Sequence, residues 1–470
     1  MHPYAPSTPT FPGTKTSRFR WRRVFLFFAI PIGILWLVVF GLRLAWTIRE
    51  SQGRSQMERE LEGLVQAGLP IDNESIDARY RQATSSTHTE EWLAVHEELQ
   101  SGTFTADSQG VPTLDPKIES EPFEEDFKLY GEWPAAEISS RLVNKYQALI
   151  ERICILSEAN EPVYFPIEFR SWETLLPNTQ SMRDVSRVVL LDARVALRNK
   201  EVDRLFRDLM ALLRTSRVIE EEPFIVSHLV SVAMRRLALG VVRHAIESNL
   251  LSDEQWDEIA TLLQERTEIG SRWARTLQGE QGISLPCFRD PKKSMKMKKP
   301  ISIPARGHDA VVYIGIMRRA MEIPTEDLQY FRKEFLAVES DFLKSTRGGI
   351  LASADRILTN VLFPPIATFG DILVDEVTMH RQAIVAIELR RYERRYGEMP
   401  MSLMDLPAEV HSLRPFGSKP FGYQKNAAPA VLWSFRIKQC QETPDEIPST
   451  DQLTNVAEEN REIVWRFPSK

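Results

Sequence analysis

Cysteine is scarce: 470 residues hold three, Cys154, Cys287 and Cys440, with no Cys-x-x-Cys pair. That excludes a disulfide framework and a cysteine-rich zinc site, leaving at most one disulfide and one spare thiol, with three inert thiols as the simplest expectation. The chain also lacks a G-x-x-x-x-G-K-[ST] phosphate loop, a G-x-S-x-G nucleophile elbow and a G-x-G-x-x-G fingerprint, so enzymes built on those devices are disfavoured. His96-Glu97 opens like a zinc-protease helix, but Gln100 stands where the second histidine belongs. Glu376 and His380 share a helix face at i and i+4, yet two ligands do not make a metal site, and a surface ion pair is the plainer expectation. A net charge of −6 and a pI near 5.9 argue against a dedicated nucleic-acid binder. No catalytic residue, metal ligand or cofactor site follows from the sequence.

Charge is absent altogether from Val24 to Leu42, nineteen residues reading VFLFFAIPIGILWLVVFGL. A helix rising about 1.5 Å per residue crosses a hydrocarbon core of about 30 Å in roughly that length. Its apolar side chains point in every direction, where a buried soluble helix of this length would show a polar face. Pro31 and Gly33 are tolerated in lipid, and Trp21 and Trp46 stand just outside the two ends, where indole rings favour the interface. The run is longer than a signal-peptide core, and Gly41 to Trp46 offers no small-x-small cleavage site, so it reads as a permanent single-pass signal anchor. Lys15, Arg18, Arg20, Arg22 and Arg23 precede it, and Arg43, Arg49, Arg54 and Arg59 are spread out after it. The positive-inside rule then places the N-terminus in the cytoplasm and the large domain outside the cell membrane.

Five regions follow: a basic, Pro/Ser/Thr-rich tail at 1–23, expected to be disordered over most of its length; the anchor at 24–46; juxtamembrane helices and an acidic loop at 47–132; a helical core at 133–395; and a C-terminal segment at 396–470. Met57, Leu61, Leu64 and Val65 predict a short helix stopping at Gly68-Leu69-Pro70, and Thr89 is placed to cap the next. Residues 101–132 read as a loop carrying Glu119, Glu121, Glu124, Glu125 and Asp126. One helix is predicted from Pro134 to Asn160, and an αα-hairpin with a joint at Asn199-Lys200. Pro223 is expected to open a third helix, and Ser252 to Gln255 an S-x-x-Q capping box starting a fourth, which continues to about Leu277. Residues 281–310 read as a loop, followed by a helix after Thr325 and a long one over Ile366–Tyr396. Phe421-Gly422-Tyr423 and Val431 to Phe435 predict a β-hairpin. The fold class is therefore mainly α: a transmembrane helix, then a multi-helix bundle or short solenoid with a small C-terminal β-hairpin.

Lys292, Lys293, Lys296, Lys298 and Lys299, interleaved with Met295 and Met297, form the most unusual local feature. Such a cluster suits anionic lipid headgroups at about 1 kcal/mol per charge, and is otherwise a solvated loop or one paired with the acidic stretch. Asn73-Glu74-Ser75 matches a glycosylation sequon.

Several stretches resemble a group of uncharacterised single-span, mainly helical membrane-anchored proteins of planctomycete-type bacteria. They are Glu60-Leu61-Glu62 through Gly68-Leu69-Pro70, Val163-Tyr164-Phe165-Pro166 with Leu176-Pro177, the hairpin from Asp192 to Leu213, and Leu277-Gln278-Gly279-Glu280. The run Glu388 to Tyr392, then Tyr396-Gly397-Glu398-Met399-Pro400, Leu403, Leu406 and Leu432-Trp433-Ser434, resembles the tail such proteins share with type II secretion pseudopilins. The resemblance implies a membrane-tethered helical domain and brings no known activity. Arg414 stands where an Asp usually precedes Pro-Phe, the Asp/Gly-rich ending is missing after Phe435, and the span lacks the leader that pseudopilin processing needs. These departures speak against calcium binding and pilus assembly. The expected role is a membrane-anchored envelope scaffold or binding domain engaging a protein or lipid partner. The alternative is an anchored hydrolase with a site not recognisable from sequence.

Overall fold

In the computed structural model the described residues are 18–114, 127, 129–295, 306–346, 356–416, 420–426, 430–434 and 464–467. The basic tail before Arg18, the acidic stretch at 119–126 and Cys440 lie outside them. The chain is mainly helical, with one small antiparallel sheet near its C-terminal end.

Arg18–Gln66 is one unbroken helix, α1, so the short helix expected at 57–65 is the last part of a longer element. Its two ends differ in what covers them. Ile34, Trp36, Leu37 and Phe40 are exposed, whereas Met57, Leu61 and Leu64, at helical spacing, are buried in the body. Gly53 marks the entry: a Cβ there would meet His308 N at 2.7 Å, and one at Gly307 would meet Arg54 N at 2.3 Å. Two backbones touch at this crossing, which only glycine allows.

Next come α2 (Asn73–Ala83), α3 (Thr89–Leu99), α4 (Gly102–Asp107), α5 (Ala136–Lys145) and α6 (Gln147–Glu158). The single helix expected over 134–160 is broken at Tyr146, whose backbone leaves the helical region. Thr89 does not cap; it is the first residue of α3, and its hydroxyl donates to the Tyr164 carbonyl at 2.7 Å. The hairpin is α7 (Pro177–Asn199) and α8 (Val202–Thr215), with Lys200 in the left-handed conformation that ends α7.

Two residues beyond Pro223, α9 (Ile225–Ser248) begins, and the Ser252–Gln255 capping box starts α10 (Asp253–Glu265) as expected. That helix stops early, and α11 (Gly270–Arg289) runs on through the stretch expected as loop, because Ile283, Leu285, Cys287 and Phe288 continue its buried face. Then follow α12 (Pro291–Ser294), α13 (Arg306–Met321), α14 (Leu328–Thr346), α15 (Ile357–Leu362), α16 (Ile366–Tyr396) and α17 (Ala408–His411). Strands β1 (Gly422–Gln424) and β2 (Ala430–Trp433) form the expected hairpin, and β3 (Val464–Phe467) adds a third strand on the other edge of β2, pairing Trp433 with Val464.

Beside a small cluster of Ile76, Tyr80, Ile167, Phe224 and Ile283, two large apolar clusters make most of the core. One is built from α3 and α5 to α10 with the sheet, the other from the end of α1 with α11, α13, α14 and α15. The long helix α16 belongs to both, through Leu373, Val374 and Val377 in the second and Ala383, Val385 and Leu389 in the first. By length and composition α9 and the Ile357–Tyr396 stretch could cross a membrane, but 67% and 56% of their apolar windows are buried inside the body. Their apolarity lines the core.

Where the clusters meet, the fully buried Glu376 of α16 accepts from Arg235 Nε of α9 and, at 2.9 Å, from Arg272 Nη1 of α11. Burial alone would raise the Glu376 carboxyl, but the two guanidiniums overcome it and hold the group below the ordinary carboxylate range. Arg272 also donates to the carbonyls of Arg266 at 2.8 Å and Glu268 at 2.7 Å, and Arg266 pairs with Glu220 at 2.6 Å. Replacing Glu376 with Gln leaves two buried cations against a neutral amide. Urea unfolding of Glu376→Gln is expected to show a loss of about 3–5 kcal/mol, whereas Arg152→Ala, breaking a half-exposed pair with Glu98, changes stability by about 0–1 kcal/mol.

Glu222, between α8 and α9, is the opposite case. Burial pushes its carboxyl up to about 7, although Ser227 and, at 2.6 Å, Thr179 donate to Oε2; Oε1 has no partner. The folded state therefore holds the proton more tightly than the unfolded chain, and this stabilisation, complete at low pH, drains away as pH rises towards 7. Glu222→Gln does not titrate, so its stability relative to wild type should climb by roughly 2–3 kcal/mol between pH 5 and pH 8 in chemical denaturation.

Candidate functional site

One face of α7 carries Arg183, Arg187, Leu190 and Arg194, spaced by four, three and four residues. On α9 the spacing of Ala233, Arg236 with Leu237, Gly240, and Arg243 with His244 likewise gives a single face. The two faces meet around a cavity of about 230 Å³, closed by Met234, Leu239, Met379 of α16 and Trp465 of β3. Its lining holds five arginines and one histidine and no carboxylate.

Each cation is placed by its neighbours. Arg187 Nη1 lies 3.1 Å from Asp184, and Arg183 donates to Gln180 at 3.5 Å. The Arg194 guanidinium stacks 5.2 Å from the Phe127 ring centre, and His244 meets the same ring edge-on at 5.1 Å. Arg236 differs: its Nε is buried without a hydrogen-bond partner. Arg194 and Arg243 are buried and Arg183, Arg187 and Arg236 half-buried, so their mutual repulsion is screened less than on an open surface. An anion inside would offset that repulsion and give Arg236 Nε an acceptor, while Leu190, Met234, Leu237 and Trp465 would receive an apolar portion. Arginine keeps its proton at any working pH, so these cations bind and orient without proton transfer.

The residues singled out by sequence fall elsewhere. Lys292 and Lys293 are exposed on α12, and Lys296, Lys298 and Lys299 lie outside the described residues. Glu376 and His380 are fully buried, not a surface pair; the Glu376 side chain is taken by two arginines, and His380 Nδ1 lies 2.8 Å from the Glu376 carbonyl. Burial pushes the His380 imidazole down to about 4. His96 is buried 3.2 Å from Met182 Sδ, with its imidazole likewise lowered to about 4 by burial. Cys154 and Cys287 are free and buried, and burial pushes their thiols up to about 12 and about 11. Asn73 of the sequon accepts from the Ser171 backbone N–H at 2.9 Å. Among the described residues no three His, Cys, Asp or Glu side chains converge as a metal site. Reading α7 and α9 for apolar periodicity alone passes over the cavity; the signal lay in the arginines sharing the period of the apolar residues.

Gly240 sits mid-helix on the cavity wall, and a Cβ there would meet nothing within 4 Å. The fold does not require glycine at this position, and glycine inside a helix costs about 1 kcal/mol relative to alanine. Thermal unfolding of Gly240→Ala should therefore show a gain of about 0.5–1 kcal/mol.

No family model matches the chain, and neither a curated protein nor a solved structure matches it.

Proposed function

We propose that this chain is a membrane-anchored binding protein of the bacterial envelope whose helical body holds a compact anionic ligand with a short apolar arm. The cavity between α7 and α9 carries the proposal: five arginines and a histidine converge on apolar walls, one guanidinium nitrogen has no partner, and a glycine keeps the space open. At about 230 Å³ it is smaller than the roughly 300–1,000 Å³ usual for drug-sized ligands, which favours a phosphate or carboxylate with a few carbons attached. His244 Nδ1 lies 3.4 Å from Glu247, which is outside the lining, and the lining itself holds no carboxylate, hydroxyl or thiol. That favours binding over hydrolysis.

Anchoring is the second part of the proposal. The uncharged run Val24–Leu42 lies within α1, and its described side chains from Ile34 to Phe40 are exposed, as lipid-facing residues of a single span would be. The N-terminus is assigned to the cytoplasm and the body to the outside by the distribution of Lys and Arg.

Thermal unfolding of the full chain in detergent, titrated with inorganic phosphate, hexyl phosphate or hexanoate, tests the cavity. At least one probe should raise the midpoint progressively with the logarithm of its concentration, the stabilisation reaching about 2.7 kcal/mol at a hundredfold excess over Kd. Arg236→Ala should weaken that response roughly tenfold to a hundredfold, and Gly240→Leu should abolish it. No response in wild type, or equal responses in the variants, would refute the site.

A further inference from the structure

We infer that the end of the body from which α1 emerges is a contact face for the anionic headgroups of the same bilayer, with Lys292 and Lys293 at its centre. This rests on the reading of Val24–Leu42 as a span. The direction of three helices carries it. Gly307 touches α1 at Gly53, and Arg318 pairs with Glu60 at 2.6 Å, so α13 runs alongside α1, away from the anchor. In α11 the order is reversed: Gly282 lies against Ile76 and Pro70, beyond the end of α1, while Arg289 lies 3.7 Å from Glu58. The C-terminal end of α11, all of α12 and the start of α13 therefore gather at the anchor end, tied where Arg306 Nη1 donates to the Arg289 carbonyl at 3.3 Å.

Eleven residues separate Leu42 from Gly53, which is about 16 Å along a helix normal to the bilayer. Headgroups occupy roughly the first 6 Å of that, so the crossing stands about 10 Å, one Debye length, above them. Lys292 and Lys293 are exposed on this side. The nearby carboxylates are engaged: Glu50 with Arg54 at 3.3 Å, Glu58 with Arg289, and Asp290 accepting from the Lys293 backbone N–H at 3.2 Å. An apolar pair joins the cations. Asp309, three residues into α13, accepts from Leu358 N at 2.8 Å and holds the start of α15 at the same end, and Ile357 and Val361 of α15 are exposed there. Exposed cations beside exposed aliphatic side chains are the composition of an interfacial contact.

The test is hydrogen–deuterium exchange of the full chain in nanodiscs of phosphatidylcholine alone or with added phosphatidylglycerol. Peptides covering 289–295 and 357–362 should exchange more slowly in the anionic discs, by up to about fivefold per engaged lysine, with 236–243 unchanged as reference. The difference should vanish in Lys292→Glu/Lys293→Glu and, with no substitution, for wild type at about 1 M salt, where the Debye length is about 3 Å. Disc-bound protein whose exchange ignores lipid charge would overturn the contact face and leave the span standing. A chain that fails to enter either disc would overturn the span and this inference together.

Discussion

Everything in the body is arranged around one carboxylate that two guanidiniums share. Glu376 lies where α16 passes from one apolar cluster to the other, and its partners come from α9 and α11, each of which belongs chiefly to a different cluster. Apolar packing is non-directional and would let the two clusters slide past one another. A fully buried ion triad has no such freedom, because each displaced donor becomes an unpaired charge in a medium that cannot solvate it. The triad fixes the relative register of α9, α11 and α16. Through Arg272 and Arg266 it reaches on to Glu220 and the turn before α9, so the backbone entering that helix is held as well.

The cavity depends on that register. Its walls are α7 and α9, and Met379, which helps to close it, is one helical turn beyond Glu376 on α16. Arg235, which binds Glu376, immediately precedes Arg236, which faces the cavity. Adjacent residues of one helix point about 100° apart, so the same turn of α9 carries an ion-paired cation on one side and a cavity-facing cation on the other.

Sequence periodicity revealed most of the helices and little of what joins them. The α7–α8 hairpin, the capping box of α10, the limits of α16 and the β1–β2 hairpin are written locally, in turn residues, side-chain caps and apolar spacing. The break at Tyr146 and the passage of α11 through Pro286 are set by tertiary packing, which no local window contains. The third strand pairs with β2 across more than thirty residues, beyond the reach of any turn signal. The sites divide in the same way. Glu376 and His380 were legible as helix neighbours, but whether they met solvent or two arginines depended on where α9 and α11 came to lie. The cavity arginines were visible only as ordinary surface-type residues until two helices set them face to face.

The unbroken course of α1 has a mechanical meaning. If Val24–Leu42 is the span proposed above, a flexible linker would let the body tumble above it, whereas a continuous helix packed at Gly53 and buried through Leu64 would couple span and body. A span adjusts its tilt to the thickness of the hydrocarbon around it. With about 36 Å of helix between Leu42 and Gln66, a tilt of roughly 10° swings the far end by about 6 Å. On the proposed anchoring, a change in bilayer thickness would reach the body as a change in the tilt of α1.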